Sequence, residues 1–535
     1  MAVRGPALTG RPAGPMATAA RQLTSASAFR IVNIAATTAV SLLMMPFVVH
    51  TLGDRMYGLW ALVATLLGYY GLLDFGLTPA VCQHVAAALG RGDREACNSV
   101  VSASLRFFLL VGVLVLLLSG AAAACAPRLA RSGADATLFA QILLILGMST
   151  ALSFPSRVFT GFLIANLRYD LMVGAELVAL AVRTSLILSV LLLGHGLVAM
   201  AWATFTGGVT AMLLQAGATL RKYPWLRLRL NAPAAGLTRS LASYSIFSFA
   251  GQLSDRLRFQ ADPVVISMFV GLAAVTHYRI ASTLTQEFIV LTVAVTGVFA
   301  PLFSRLYGAS DPEKLRVTFF FATKVSICVA TFLGFSLIVW GRPFILRWMG
   351  PGYLDAYAPL VILTVAITFD LWQAPSVDLL YAIAKHRAYA CLNFVEGILN
   401  LGLSLWLVRR YGMVGVALGT LGAMAVMRLA VQPLWTCRLS AFSYRAYMKT
   451  AGSALGGTLL AASLVWLACG WVIGPGYWRL AGSAGAALCM YAVAATFLVF
   501  SNAERQRAWT ALCPAWRILH PPALPAMPNA TRQAH

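Results

Sequence analysis

Fourteen apolar segments, each of bilayer-spanning length, follow one another along this chain, at about residues 29–50, 57–80, 98–125, 136–165, 170–194, 197–219, 240–270, 273–304, 316–341, 356–385, 388–409, 413–436, 451–473 and 478–500. A hydrocarbon core of about 30 Å takes around 20 apolar residues per helix. Lipid offers the backbone no hydrogen-bond partners, so only helices and closed barrels cross it. The two-residue alternation of a barrel strand is absent here. An all-α polytopic membrane protein of about 14 transmembrane helices is the fold this pattern predicts. Only 11% of the residues are charged, so the few inside apolar segments stand out, as Asp74 does within 57–80.

The loops carry a second pattern. Arg4, Arg11, Arg21, Arg30, Arg91, Arg94 and Arg168 fall on one side, joined by the groups Arg221–Arg239, Arg305–Arg316, Lys385–Arg387, Arg438–Lys449 and Arg505–Arg532. The other side holds Arg55, Arg128, Arg131, Arg342, Arg347, Arg409, Arg410 and Arg479, a balance of roughly 24 against 8. The positive-inside bias therefore predicts a multi-pass protein of the bacterial inner membrane with both termini in the cytoplasm. The net charge of +23 has the same source. These cations face anionic membrane lipid, and no nucleic-acid partner is expected.

Several functions are excluded on simple grounds. Residues 1–28 read as a cytoplasmic tail without the layout of a cleaved signal, and 501–535 as a disordered, proline-rich cytoplasmic tail. The nine cysteines are scattered, with no CxxC or Cys/His cluster, so neither a metal site nor a disulfide framework is expected. No Walker motif, GxGxxG or loop long enough for a catalytic domain is present, so no cofactor and no enzyme are expected.

The chain also repeats itself at a spacing of about 216–221 residues. Thr51-Leu-Gly-Asp-Arg-Met-Tyr-Gly58 pairs with Val270–Tyr278. Ala165–Arg168, leading to Glu176, pairs with Ala384–Arg387, leading to Glu396. Gly196–Ala201 pairs with Gly412–Ala417. Each repeat holds six spans and starts on the same side, which predicts an N-lobe over 29–230 and a C-lobe over 235–440 related by a pseudo-twofold along the membrane normal. Two additional helices, 450–500, follow. This is a transporter layout, with a cavity between lobes that rock for alternating access.

These same residues carry a resemblance. The run Leu52-Gly-Asp-Arg-Met-Tyr-Gly-Leu-Trp60, continued by Gly71-Leu-Leu-Asp-Phe-Gly-Leu77, resembles the signature of polysaccharide flippases of the multidrug/oligosaccharidyl-lipid/polysaccharide exporter superfamily. Asp262-Pro-Val-Val-Ile266 with Tyr278–Ala281, and Leu380–Lys385 through Tyr411–Ala417, are similar too. The resemblance covers about residues 30–440. It implies two lobes and the movement of a polyprenyl-diphosphate-linked glycan between membrane leaflets, upstream of polysaccharide polymerase or assembly proteins.

Chemistry is expected at the intramembrane charges, because each costs about 2.5–3.5 kcal/mol at a helix centre on insertion scales. Guanidinium groups bind phosphate oxygens in a bidentate fork, so Arg256, Arg258, Arg279 and Arg183 are the candidates for the lipid diphosphate. In the seventh span Asp255, Arg258 and Asp262 share a face, which also fits a salt-bridge ladder, while Arg256 points elsewhere. Asp74, Glu176, Asp255, Asp262, Glu287 and Glu396 are the candidates for coupling to H+ or Na+, against packing or capping roles. Trp60, Trp340, Trp348 and Trp435 fall near span ends and read as interfacial anchors. The function expected is a flippase for lipid-linked oligosaccharide in cell-surface polysaccharide assembly. The competing readings are a cation-coupled multidrug exporter, which would favour an acidic cavity, and a membrane-embedded glycan polymerase or glycosyltransferase.

Overall fold

The computed structural model describes residues 15–125, 133–228, 260–469, 476–502 and 504–506, and these are helical throughout apart from short turns. The helices are α1 (Pro15–Leu52), α2 (Asp54–Tyr70), α3 (Leu77–Gly90), α4 (Arg94–Ala124), α5 (Gly133–Ala165), α6 (Tyr169–Leu192) and α7 (Leu197–Lys222). There follow α8 (Asp262–Phe269), α9 (Leu272–Thr296), α10 (Phe299–Gly308), α11 (Pro312–Trp348), α12 (Tyr357–Trp372) and α13 (Ala374–Ala382). The series ends with α14 (His386–Met424), a π-helical turn (Ala425–Val431), α15 (Gln432–Ser440), α16 (Tyr444–Cys469) and α17 (Tyr477–Leu498).

Among the described residues, eleven helical stretches have the length and hydropathy of a membrane span. One of these, Arg387–Ser440, contains both the eleventh and twelfth expected spans, which part at Gly412. Every other expected span except 240–270 coincides with described helices. Of that seventh span only its end is described, as α8. The second span breaks at Asp74, as its sequence suggests: a 3-10 turn, Gly71–Asp74, passes through left-handed Phe75 and Gly76 into α3.

The backbone bears out the internal repeat. Left-handed residues recur as Gly53 and Gly271, Gly92 and Ser310, Leu167 and Ala384, and Gly194 and Gly412, each pair 217 or 218 positions apart. Helix starts recur with them, Asp54 with Leu272, Arg94 with Pro312, and Tyr169 with His386. Turns that need positive φ are the positions least free to drift, so their constant offset marks duplicated elements.

The chain forms two compact units, one of Met1–Glu287, Arg342–Leu363 and Arg387–Met424, the other of Phe288–Gly341, Thr364–His386 and Ala425–His535. In the first, Phe108, Phe154 and Phe162 pack with Val81 and Val101, and Leu226 closes this core from the segment after α7. That segment is tied to α4 where the Arg227 backbone N–H donates to Asn98 Oδ1 at 3.0 Å. A neighbouring cluster joins Val48, Leu59, Val63, Ile142, Leu143 and Met200. Apolar residues such as Leu110, Leu117 and Leu192 remain exposed on the outward faces, as lipid-facing helices require. Lipid tails are as apolar as leucine, so side-chain hydrogen bonds and close packing must hold such helices together. In the second unit, Phe332 stacks on Tyr491 with ring centroids 4.0 Å apart, and the Tyr491 hydroxyl donates to the Cys328 carbonyl at 2.9 Å. These contacts dock α17 on α11. Arg428, in the π turn, meets Asp370 at 3.0 Å.

Candidate functional site

The first unit encloses a cavity of about 270 Å³ bordered by α1, α2, α6, α7 and α9. Among the described residues, its charged lining side chains are Arg183 from α6 and Arg279 from α9, with no carboxylate. Both guanidinium groups keep exposed surface, and neither has an ion-pair partner among the described residues. The Tyr57 hydroxyl lies near the Arg279 guanidinium on the same cavity wall. Hydroxyls of Thr37, Ser41, Thr184, Thr204 and Thr283 share the wall with Tyr57, Trp60 and three methionines, Met44, Met45 and Met200.

Two glycines place these arginines. A Cβ on Gly58 would lie 1.9 Å from the Leu272 carbonyl oxygen, so only glycine lets α2 cross the start of α9 this closely and bring Tyr57 to Arg279. A Cβ on Gly207 would lie 2.6 Å from the Arg183 Cβ, so α7 leaves the stem of Arg183 room to pass. The carboxylates on the same two helices are drawn off elsewhere. Glu176, seven residues before Arg183, accepts from Asn33 Nδ2 at 2.8 Å, and Glu287, eight residues after Arg279, accepts from Thr38 Oγ1 at 2.7 Å. Both are thus held by α1, away from the arginines that share their helices.

One turn from the cavity, at the start of α2 and α9, charge is matched instead. His277 Nδ1 lies 2.5 Å from Asp355 and its Nε2 3.4 Å from Asp54. Tyr353 donates to Asp54 at 2.7 Å, and Thr276 donates to the Asp54 carbonyl at 2.6 Å. His50 Nε2 meets the Met349 carbonyl at 2.9 Å. Pro46 has no N–H for the Leu42 carbonyl, and the Trp348 indole donates to it at 2.7 Å. Trp348 is therefore a bond donor to α1, and Trp60 a cavity wall, where their positions near span ends suggested interfacial anchors.

A third group adjoins Arg279 in sequence. Asp262 is buried at the first turn of α8 and accepts from the Tyr278 hydroxyl at 2.5 Å and from Thr420 Oγ1 at 3.4 Å. Thr420 and Ser404 also donate to Asn400 Oδ1, at 3.1 and 3.2 Å. Asp262 Oδ1 is buried without a hydrogen-bond partner among the described residues. The site is a nest of oxygen atoms around one carboxylate.

Of the residues singled out in the sequence, the structure brings Arg183 and Arg279 together. Asp74 is buried beside Arg157 Nη1 at 3.5 Å and accepts from Thr78 at 3.0 Å, while the Arg157 guanidinium lies 4.3 Å over the Phe154 ring. Glu396 is buried on α14. Asp255, Arg256 and Arg258 lie outside the described residues, and with them the proposed salt-bridge ladder. Asp54, which stands alone beside Arg55 in the sequence, belongs to the His277 network, and Arg55 pairs with Asp135. Tyr57 and His277 lie within the repeated segments without being marked there as site residues, and Asn400 and Thr420 carry no such mark. Asn33 and Thr38, polar residues within the first apolar segment, were an available signal.

A polytopic helical bundle with a cationic cavity is the construction of a membrane transporter. The sequence pattern of the polysaccharide biosynthesis protein family matches residues 27–307, and the chain belongs to that family. It is similar to the membrane protein EpsK of Bacillus subtilis (strain 168), at 24% identity over 87% of this chain and 93% of that protein. It is also similar, at 19% identity over 78% of this chain and 98% of the relative, to a Shigella flexneri protein named as an O-antigen transporter. Among solved structures, the lipid II flippase MurJ in an inward closed conformation matches with a TM-score of 0.66 at 14% identity, over 87% of this chain and 98% of that one. An inward-facing multidrug resistance transporter of the MOP superfamily matches comparably, with a TM-score of 0.65 at 18% identity over 77% and 96%. These likenesses show the fold that the chain shares with a lipid flippase and with a multidrug transporter.

Proposed function

We propose that the protein is a flippase that carries a polyprenyl-diphosphate-linked oligosaccharide across the bacterial inner membrane for surface-polysaccharide assembly. The observation that carries this reading is the cavity with two arginines and no carboxylate among its described lining residues. Such a wall attracts a diphosphate and repels a cationic drug, which separates the flippase from the multidrug exporter where the fold does not. Each guanidinium offers a fork of donors to phosphate oxygens. The glycan head enters the cavity while the polyprenyl tail stays in lipid. Lobes 29–230 and 235–440 rock about it, with both termini in the cytoplasm. The His277 network then lies at the outer end of the cavity, where it closes the exit.

Coupling to H+ or Na+ is assigned in this reading to Asp262. Asp262 is buried with one open oxygen, and its described partners are the hydroxyls of Tyr278 and Thr420, a setting that suits a proton or a small hard cation. Tyr278, bonded to Asp262, directly precedes Arg279, so loading the carboxylate acts on the helix that carries the cavity arginine.

The test is leaflet-resolved translocation of a labelled polyprenyl-diphosphate oligosaccharide in proteoliposomes, under imposed H+ or Na+ gradients. Protein-dependent transfer, lost in the double variant Arg183→Gln/Arg279→Gln, supports the reading. Efflux of cationic drugs without glycan transfer would replace it with the exporter.

A further inference from the structure

Tyr57 and Trp60, three positions apart on α2, are the aromatic residues that border the cavity with Arg183 and Arg279 among the described residues. Their surroundings combine chemistries that one simple ligand does not use together. A hydrocarbon would leave the two guanidinium groups facing it without a partner, at a desolvation penalty for each, although Thr37 and Thr204 already donate to carbonyls of their own helices. A bare anion would engage the arginines and leave the indole of Trp60 facing nothing. A sugar has an apolar C–H face for an aromatic ring and a rim of hydroxyls for Thr37, Ser41, Thr184, Thr204 and Thr283. The Tyr57 phenol ties the two chemistries together, since its ring borders the cavity and its hydroxyl meets Arg279.

We propose that Tyr57 and Trp60 form a sugar subsite beside the two arginines, so that the cavity reads the diphosphate together with the first sugar attached to it. This rests on the flippase reading and deepens it. The cavity, at about 270 Å³, falls just below the range of about 300–1,000 Å³ usual for drug-sized ligands. It therefore admits one ring and its diphosphate, and the rest of the glycan lies outside.

The experiment is calorimetric binding to the full-length protein in lipid nanodiscs, with a short-chain prenyl diphosphate and the same molecule bearing one hexose. Wild type is expected to prefer the hexosyl probe. Trp60→Leu should weaken the hexosyl probe by about tenfold, the upper end for one aromatic contact, and leave the bare diphosphate within about twofold. Trp60→Phe, which keeps a ring, should retain most of the preference, and this conservative variant stands in if Trp60→Leu does not fold. Arg183→Gln/Arg279→Gln should lose both probes. Equal weakening of both probes by Trp60→Leu, or none, overturns the subsite while the arginine result still supports the flippase. Wild type that binds neither probe overturns both.

Discussion

Two groups of charge lie one helical turn apart on α2 and α9, and they are treated in opposite ways. Around His277 the acidic groups find partners: Asp355 and Asp54 flank the ring, and Tyr353 and Thr276 complete the bonding of Asp54. In the cavity, Arg279 has a phenol for a neighbour and Arg183 has no ion pair among the described residues. The carboxylates that could have neutralised them, Glu176 and Glu287, bond to Asn33 and Thr38 instead. Matched charge in a membrane protein closes a structure, whereas a cation kept from its counter-ion is held ready for a ligand.

The largest effect should come from the unmatched side. Arg183→Gln/Arg279→Gln is expected to lower glycan translocation by about 150-fold or more, from two charged hydrogen bonds of at least about 1.5 kcal/mol each, with the melting temperature unchanged or higher. A strongly lowered melting temperature would make the arginines structural and end the contrast. Gly58→Ala should come next. Its methyl group meets the Leu272 carbonyl, and overpacking of that kind costs about 1–3 kcal/mol. Because it parts α2 from α9, it should weaken the network and the cavity together, read as a lower melting temperature and a loss of ligand affinity in the same protein. If only one falls, the two groups are less linked than their shared helices suggest.

On the matched side, Asp54→Asn should destabilise by about 1 kcal/mol, at the low end for charged pairs because the carboxylate side chain is 37% exposed. Combining it with Tyr353→Phe should give less than the sum of the two changes, as residues in one network do. A similar deletion cycle between Arg183 and Glu176 should be additive. The smallest effect carries the rule into the second unit, where Glu504 meets Lys324 at 2.9 Å. Burial alone would raise the Glu504 carboxyl, but hydrogen bonds from Ser501 and Lys324 outweigh it and hold it below the usual range. A carboxyl held low adds stability above its unfolded value and loses it as pH falls through its folded one. The melting difference between wild type and Glu504→Gln should therefore be present at neutral pH and vanish on acidification below the ordinary carboxylate range. A difference that persists in acid would mean the Glu504–Lys324 pair adds nothing.

Arg183 and Arg279 illustrate what composition can indicate. An arginine inside an apolar segment needs a partner or a polar space, so the chain's own pattern marks both as site candidates. Their meeting is not legible there, because hydropathy leaves the rotation of each helix open. Trp60 shows the reverse error. Its position near a span end fits an interfacial belt equally well, and only the close crossing of α2 over α9 at Gly58 turns it inward. His277 is invisible for a related reason: its partners Asp54 and Asp355 are 223 and 78 positions away.

The amino-acid sequence by itself determined the helical membrane class, nearly all of the spans, the break at Asp74 and the duplication. These follow from segment length, periodicity and turn chemistry, which act over a few residues at a time. Only the tertiary structure decided which charges are answered and which are left open. That choice depends on which faces of α1, α2, α6 and α9 come together, and such faces are set by packing between residues far apart in the chain.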